Sequence, residues 1–164
     1  GAMDINAACS GFVFTLSTAH ELVAGGLYDA IGVVGVDTVT RHCDYSTFGR
    51  GAAILFGDGA GAVVIRKSKD NRKGMLAQAM HSDGDGARSL YIPCGLDQIV
   101  DPDRFGLPES KLRVNIDRLG NTVAGSCPLV FDELKREGRV QEGQKVMFIA
   151  FGAGLTWGAS LWQL

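Results

Sequence analysis

Cys9 is the side chain best placed by type and setting to do covalent chemistry. Asn6-Ala7-Ala8 precede it, Ser10-Gly11 follow, and a helical pattern starts immediately downstream. A thiol at a helix N-terminus feels unpaired amide N–H groups, which favour the thiolate, and small neighbours leave the sulfur open to a substrate. The competing reading is a small buried core residue, the usual place of a free cysteine. Asn121, in Asp117-Arg118-Leu119-Gly120-Asn121-Thr122, stands at the start of a second helical pattern. It either caps that helix or offers a neutral donor to a substrate oxygen, and spacing does not choose between the two. Gly152-Ala153-Gly154 either presents a backbone N–H to an oxyanion or makes a structural turn.

Other residue types point away from several chemistries. Gly57-Asp58-Gly59-Ala60-Gly61 lacks the Gly-Lys-Ser/Thr ending of a phosphate-binding loop and is not GxGxxG. The cysteines Cys9, Cys43, Cys94 and Cys127 make no CxxC pair, so neither a zinc site nor a redox motif is expected. His20, His42 and His81 have no partners at ligand spacing, and Asp83-Gly84-Asp85-Gly86 fails the calcium-loop pattern. No metal and no cofactor are expected.

The elements that must position these groups follow from hydrophobic periodicity. Phe12, Leu16, Ala19 and Val23 recur at helical spacing over residues 10–24, and Gly25-Gly26 ends the pattern. Ala30–Val36 is nearly continuous apolar sequence, which predicts a central strand covered on both faces. Ala52–Phe56 and Ala62–Arg66 flank the glycine cluster and predict an antiparallel pair. Met75–His81 and Leu112–Ile116 read as strands, residues 82–110 as loop, and Thr122–Lys135 as a helix that Pro128 must either begin, sitting in its first turns, or kink. Lys145–Phe151 and Leu155–Trp162 read as the last two strands.

The two ends of the chain follow one plan. Cys9, helix, glycine stop, apolar strand and Phe56-Gly57-Asp58-Gly59 are answered by Asn121, helix, Gly138, apolar strand and Phe151-Gly152-Ala153-Gly154. Such a repeat predicts an α/β fold of two related layered halves.

The bulk figures agree with a folded protein. Of 164 residues, 46% are hydrophobic and 21% charged, enough apolar surface for a core. The net charge of -2 gives nucleic-acid binding no electrostatic support. No apolar run approaches the roughly 20 residues of a membrane span. The first residues show no signal-peptide pattern, so reduced thiols and a cytoplasmic location are expected.

Four segments in order resemble the condensing enzymes of the β-ketoacyl-acyl-carrier-protein synthase III family. They are Asp4-Ile5-Asn6-Ala7-Ala8-Cys9-Ser10-Gly11-Phe12, Leu55-Phe56-Gly57-Asp58-Gly59-Ala60-Gly61-Ala62, Asp117–Thr122, and Phe151-Gly152-Ala153-Gly154-Leu155-Thr156-Trp157-Gly158. The resemblance implies a thiolase-like layered αβαβα architecture, here incomplete. Residues 1–95 would belong to the first half and the start of the second, and 96–164 to the second. It implies acyl transfer from an acyl-coenzyme A to Cys9, then decarboxylative condensation with malonyl-acyl-carrier-protein. Asn121 would stabilise the enolate, the backbone N–H groups of Cys9 and Ala153 would form the oxyanion hole, and Arg50 would contact coenzyme A. Ala153 suits that role if its φ is negative. A homodimer without nucleic acid or membrane partners is implied as well. The family's His-Gln-Ala-Asn motif has no counterpart ahead of Leu107, nor is the part that precedes Cys9 present. Those departures leave room for a non-catalytic or acyl-transfer-only chain, while thiolases and polyketide-type enzymes share the chemistry.

Overall fold

The computed structural model describes residues 1–89 and 120–164. Among them, β1 (Ala30–Thr38) pairs antiparallel with β2 (Asp58–Arg66) in one sheet. A second sheet has the order β3–β5–β4, built from β3 (Gly74–Ser82), β4 (Lys145–Gly152) and β5 (Thr156–Gln163). The helix α1 (Gly11–Ala24) lies between the sheets and touches strands of both. A single turn, α2 (Arg50–Ala53), interrupts the β1–β2 connection. The helix α3 (Ser126–Arg136) packs against β2 and β4. This is the expected α/β class, with a sheet, a helical layer and a second sheet stacked in turn.

The helix α1 forms where its pattern predicts, and its apolar residues explain why it is central. Phe12, Val13, Leu16, Ala19 and Val23 are all buried, and buried Gly11 and Ser17 extend the covered surface beyond that apolar stripe, as suits an interior helix. Thr15 and Thr18 satisfy their hydroxyls by donating to the Gly11 and Phe14 carbonyls at 2.8 and 2.9 Å. Phe12 meets the Phe148 ring edge-on at 5.8 Å, and Phe148 meets Phe131 at 5.3 Å. One aromatic chain thus ties α1, β4 and α3, and Phe12, its fully buried ring, contributes about 1.5–3 kcal/mol through burial.

Three expectations need correction. The strand β1 is not covered on both faces: Val33 is buried, but Val34 and Val36 are 59% and 57% exposed. The apolar run does mark two apolar faces, but among the described residues a packing layer meets one of them. Ala52–Phe56 is not a strand, and Gly59 and Gly61 lie inside β2 instead of in a turn. They sit there because α3 comes too close for a side chain, a Cβ at Gly61 falling 2.8 Å from the Pro128 ring. Pro128 sits in the first turn of α3, the first of the two alternatives the sequence left open. The predicted strand Leu112–Ile116 and most of the loop 82–110 lie outside the described residues; Gly84–Ser89 forms a 3-10 segment.

The repeat is present, in a different register from the one the motifs suggest. Gly11 and Ser126 open the helices, Ala30 and Lys145 open the following strands, and the interval is the same. Each helix is preceded by a 3-10 turn, Ala8–Ser10 or Val123–Gly125. The first residue of each turn has positive φ, +45° at Ala8 and +53° at Val123. Asn121 therefore corresponds to Asn6, and Cys9 to Ala124. The ladders pair Asp37 with Gly59 and Gly152 with Thr156, so Phe56-Gly57-Asp58-Gly59 and Phe151-Gly152-Ala153-Gly154 are not equivalent segments. The halves pack crosswise: the turn before α1 meets β4, and the turn before α3 meets β1.

Candidate active site

Cys9 occupies the 3-10 turn one step ahead of α1, and the chain enters it through left-handed Ala8. That conformation is uncommon for a residue with a Cβ and must be held by its surroundings. Asn6 Oδ1 accepts the Ala8 N–H at 3.1 Å. Ser10, fully buried, donates its hydroxyl to the Thr156 carbonyl at 3.1 Å. The Thr156 hydroxyl lies 3.1 Å from both the Ala7 and the Ala153 carbonyls. Thr156 thereby joins the turn that carries Cys9 to the loop that carries Ala153. Ala153 is not among the positive-φ residues.

Asn121 reaches the same place from the second half. Its backbone is clamped to the segment before β2: the Asn121 N–H donates to Leu55 O at 2.7 Å, and the Gly57 N–H donates to Asn121 O at 3.1 Å. Its Oδ1 accepts the N–H of left-handed Val123 at 2.8 Å. That leaves Nδ2 to face Cys9 Sγ, 3.9 Å away. Asn121 does not cap α3, which begins four residues later than the pattern predicts and has Gly125 at its N-cap; its oxygen holds the 3-10 turn ahead of the helix instead, and its amide N–H points at the thiol.

The electrostatics run against the helix-end argument. Burial pushes the Cys9 thiol above its ordinary pKa; the Asn121 N–H works against that rise, and the negative charge of Asp37 adds to it. A sulfur withdrawn from water loses more by desolvation than the local dipoles return. Asp37, at the end of β1, is itself raised by burial, opposed by the Ala124 N–H that donates to its Oδ2 at 2.9 Å.

The remaining candidates lie elsewhere. Arg50 is exposed at the start of α2, and among the described residues no hydrogen bond or ion pair joins it to Cys9. His20 packs edge-on against Trp162 at 5.7 Å, His81 stacks on Trp157 at 5.8 Å, and His42 ends a 3-10 turn. Among the described residues no histidine is hydrogen-bonded to Cys9; Cys43 and Cys127 are free thiols, and Cys94 lies outside those residues. Sequence reasoning missed Asp37, Ser10 and Thr156. The one signal for Asp37 was an acid closing an otherwise apolar strand.

Two family profiles match the chain in sequence. The first, 3-oxoacyl-[acyl-carrier-protein] synthase III, covers residues 3–84, and the C-terminal domain of the same family covers residues 96–164. The chain belongs to the synthase III family. The family's members include a β-ketoacyl-[acyl-carrier-protein] synthase III of Xylella fastidiosa, 35% identical over 98% of this chain and 66% of the relative. One of Staphylococcus saprophyticus is 34% identical over 96% of this chain and 64% of its own. The chain thus spans just under two thirds of the length of these relatives. The Xylella alignment runs over 218 positions against 164 residues here, so synthase III relatives carry internal residues that this sequence lacks. The synthase III of Thermus thermophilus superposes with a TM-score of 0.83 at 28% identity, covering 99% of this chain and 68% of that one. A priming β-ketosynthase from the R1128 polyketide pathway superposes at 0.82 and 27%, covering 99% and 66%. The thiolase-like fold expected from the motifs is therefore the fold of this chain.

Proposed function

We propose that the protein takes an acyl group from acyl-coenzyme A onto Cys9 and condenses it with malonyl-acyl-carrier-protein, the step that initiates fatty acid synthesis. The observation that carries the reading is the Cys9–Asn121 pair, 3.9 Å apart at the head of the central helix in a synthase III fold. The Cys9 thiolate attacks the acyl carbonyl, and the oxyanion is received by the backbone N–H groups of Cys9 and Ala153. Coenzyme A leaves as its thiolate and takes up the proton that Cys9 lost. The malonyl group then releases carbon dioxide, and the electron pair left behind forms an enolate whose oxygen accepts the Asn121 N–H. Its carbon attacks the acyl-Cys9 carbonyl, a carbon–carbon bond forms, and the Cys9 sulfur leaves. A cytoplasmic homodimer is part of this reading.

Because burial raises the Cys9 pKa, the thiol needs help to lose its proton, and the sequence holds no His-Gln-Ala-Asn segment. That gap favours a narrower second reading, acyl transfer to Cys9 without condensation. Intact mass before and after acetyl-coenzyme A tests both. An acetyl adduct that Cys9→Ala abolishes supports acyl transfer, and its consumption by malonyl-acyl-carrier-protein with carbon dioxide release supports condensation. A stable adduct leaves the narrower reading, and a folded protein with no adduct overturns both.

A further inference from the structure

We propose that Asp37 is a positioning residue for the Cys9–Asn121 pair, its carboxylate fixing the left-handed turn from which Asn121 reaches the thiol. Asn121 meets Cys9 with its Nδ2 only because its Oδ1 is occupied by the Val123 N–H. That bond exists only while Val123, a β-branched residue, stays at φ +53°. A β-branched side chain in this region is a conformational outlier and persists where its neighbours over-determine it. Asp37 Oδ2 holds the next N–H along, that of Ala124, at 2.9 Å. The carboxylate and the Asn121 amide oxygen therefore grip two consecutive N–H groups of the same turn.

The internal repeat gives independent support. The interval that relates Cys9 to Ala124 also relates Asp37 to Gly152. Gly152 lies against the Cys9 turn as Asp37 lies against the Ala124 turn: a Cβ at Gly152 would fall 2.7 Å from the Cys9 nitrogen. In the asparagine half, an anion built into the chain fills the place beside the amide. In the cysteine half, glycine brings its backbone against the turn and has no carboxylate to offer, which leaves the Cys9 N–H to the transient oxyanion of the proposed reaction. The Ala124 N–H is thus committed to a carboxylate of the chain itself, and Gly152 supplies no such group to the Cys9 N–H. The location of the carboxylate is otherwise costly, because it is half-buried and its charge adds to the rise in the Cys9 pKa.

The inference rests on the acyl-cysteine reading, but its test needs no acyl donor. Cys9 alkylation by iodoacetamide, resolved from the other cysteines by peptide mass spectrometry, is followed from neutral to alkaline pH. Asp37→Asn and Asp37→Ala both remove the charge, and the Asn side chain keeps the acceptor. We expect the inflection in Asp37→Ala to lie at higher pH than in Asp37→Asn, with neutral-pH alkylation about 2- to 10-fold slower, the worth of one hydrogen bond. In an Asn121→Ala background the difference between the two should vanish, since Asp37 acts through Asn121. Equal inflections with Asn121 present, or a difference that survives Asn121→Ala, overturns the proposal. Should Asp37→Ala not fold, Asp37→Glu replaces it against the unsubstituted protein, keeping charge and acceptor but overreaching by one methylene. The same shift supports the tether, and its absence overturns it. A protein that alkylates as expected yet takes no acetyl group would sink the acyl-cysteine reading alone.

Discussion

Gly152→Ala adds one methyl group at the most crowded point of the site. Its Cβ would sit 2.7 Å from the Cys9 nitrogen, 3.0 Å from the Ser10 nitrogen and 3.2 Å from the Ala7 carbonyl oxygen. All three are backbone atoms, so no side chain can swing aside. Restoring ordinary van der Waals contact requires about 0.7 Å of movement between β4 and the Cys9 turn. Neither side gives easily, for β4 is laddered to β5 through Gly152–Thr156 and the turn is bound to Thr156. Displacement of reacting groups by about 1 Å costs on the order of 100-fold in rate, so acetylation of Cys9 should slow about 100-fold. Overpacking should also cost about 1–3 kcal/mol of stability. The assay is the rate of acetyl adduct formation by intact mass, beside a denaturant melt. Gly32→Ala in β1, where a Cβ meets nothing within 4 Å, is the control and should acetylate normally. A Gly152→Ala protein that acetylates as fast as the control would refute the reasoning, since the crowding would then carry no mechanical consequence.

Phe12→Ala should destabilise the protein by about 3–5 kcal/mol in urea melts, because Phe12 is fully buried between the sheets and against Phe148; a loss below 1 kcal/mol would mean that the helical layer is not the core. Thr156→Val keeps the shape but removes the hydroxyl between the Ala7 and Ala153 carbonyls. Acetylation should drop about 3- to 10-fold, with Thr156→Ser restoring most of it, and no difference between Val and Ser would deny the bridge a role. Burial raises the Cys9 and Cys127 thiols above their ordinary pKa, so the native state keeps their protons longer than the unfolded chain. Their contribution is fully present below the ordinary thiol pKa and is lost as pH rises through the native values. Stability should therefore fall on the alkaline side, and the double substitution Cys9→Ala, Cys127→Ala should flatten that fall; an unchanged slope would assign it to other groups.

Local signals made much of the fold legible. Residues 11–24 read as a helix because Phe12, Leu16, Ala19 and Val23 keep helical spacing, and Gly26 at φ +77° ends it as a glycine pair should. The strands β3, β4 and β5 were legible for similar reasons. What failed depended on contacts distant in sequence. Gly59 and Gly61 look like turn residues, but they are small because Thr122, Pro128 and Leu129 press on β2. Cys9 and Asn121 were legible as candidates through their setting and motifs, whereas the pKa direction of the thiol was not. Desolvation depends on what folds over the sulfur, and no neighbour in sequence reports that. Asp37 was invisible as a partner of the site because its relation to Ala124 spans 87 residues.

The crosswise packing of the two turns has a consequence for how the molecule comes apart. Thr156 of the second half closes the turn bearing Cys9, and Asp37 of the first closes the turn bearing Val123 and Ala124. Each half holds the latch of the other, so neither can melt while its counterpart keeps a competent site. Partial opening that spares the thiol is thereby removed from the landscape. The hydrogen-bonded amides of Ser10 and Ala124 should exchange with solvent only through one shared, global event. A chain cut between the halves should regain either turn only when both pieces are mixed.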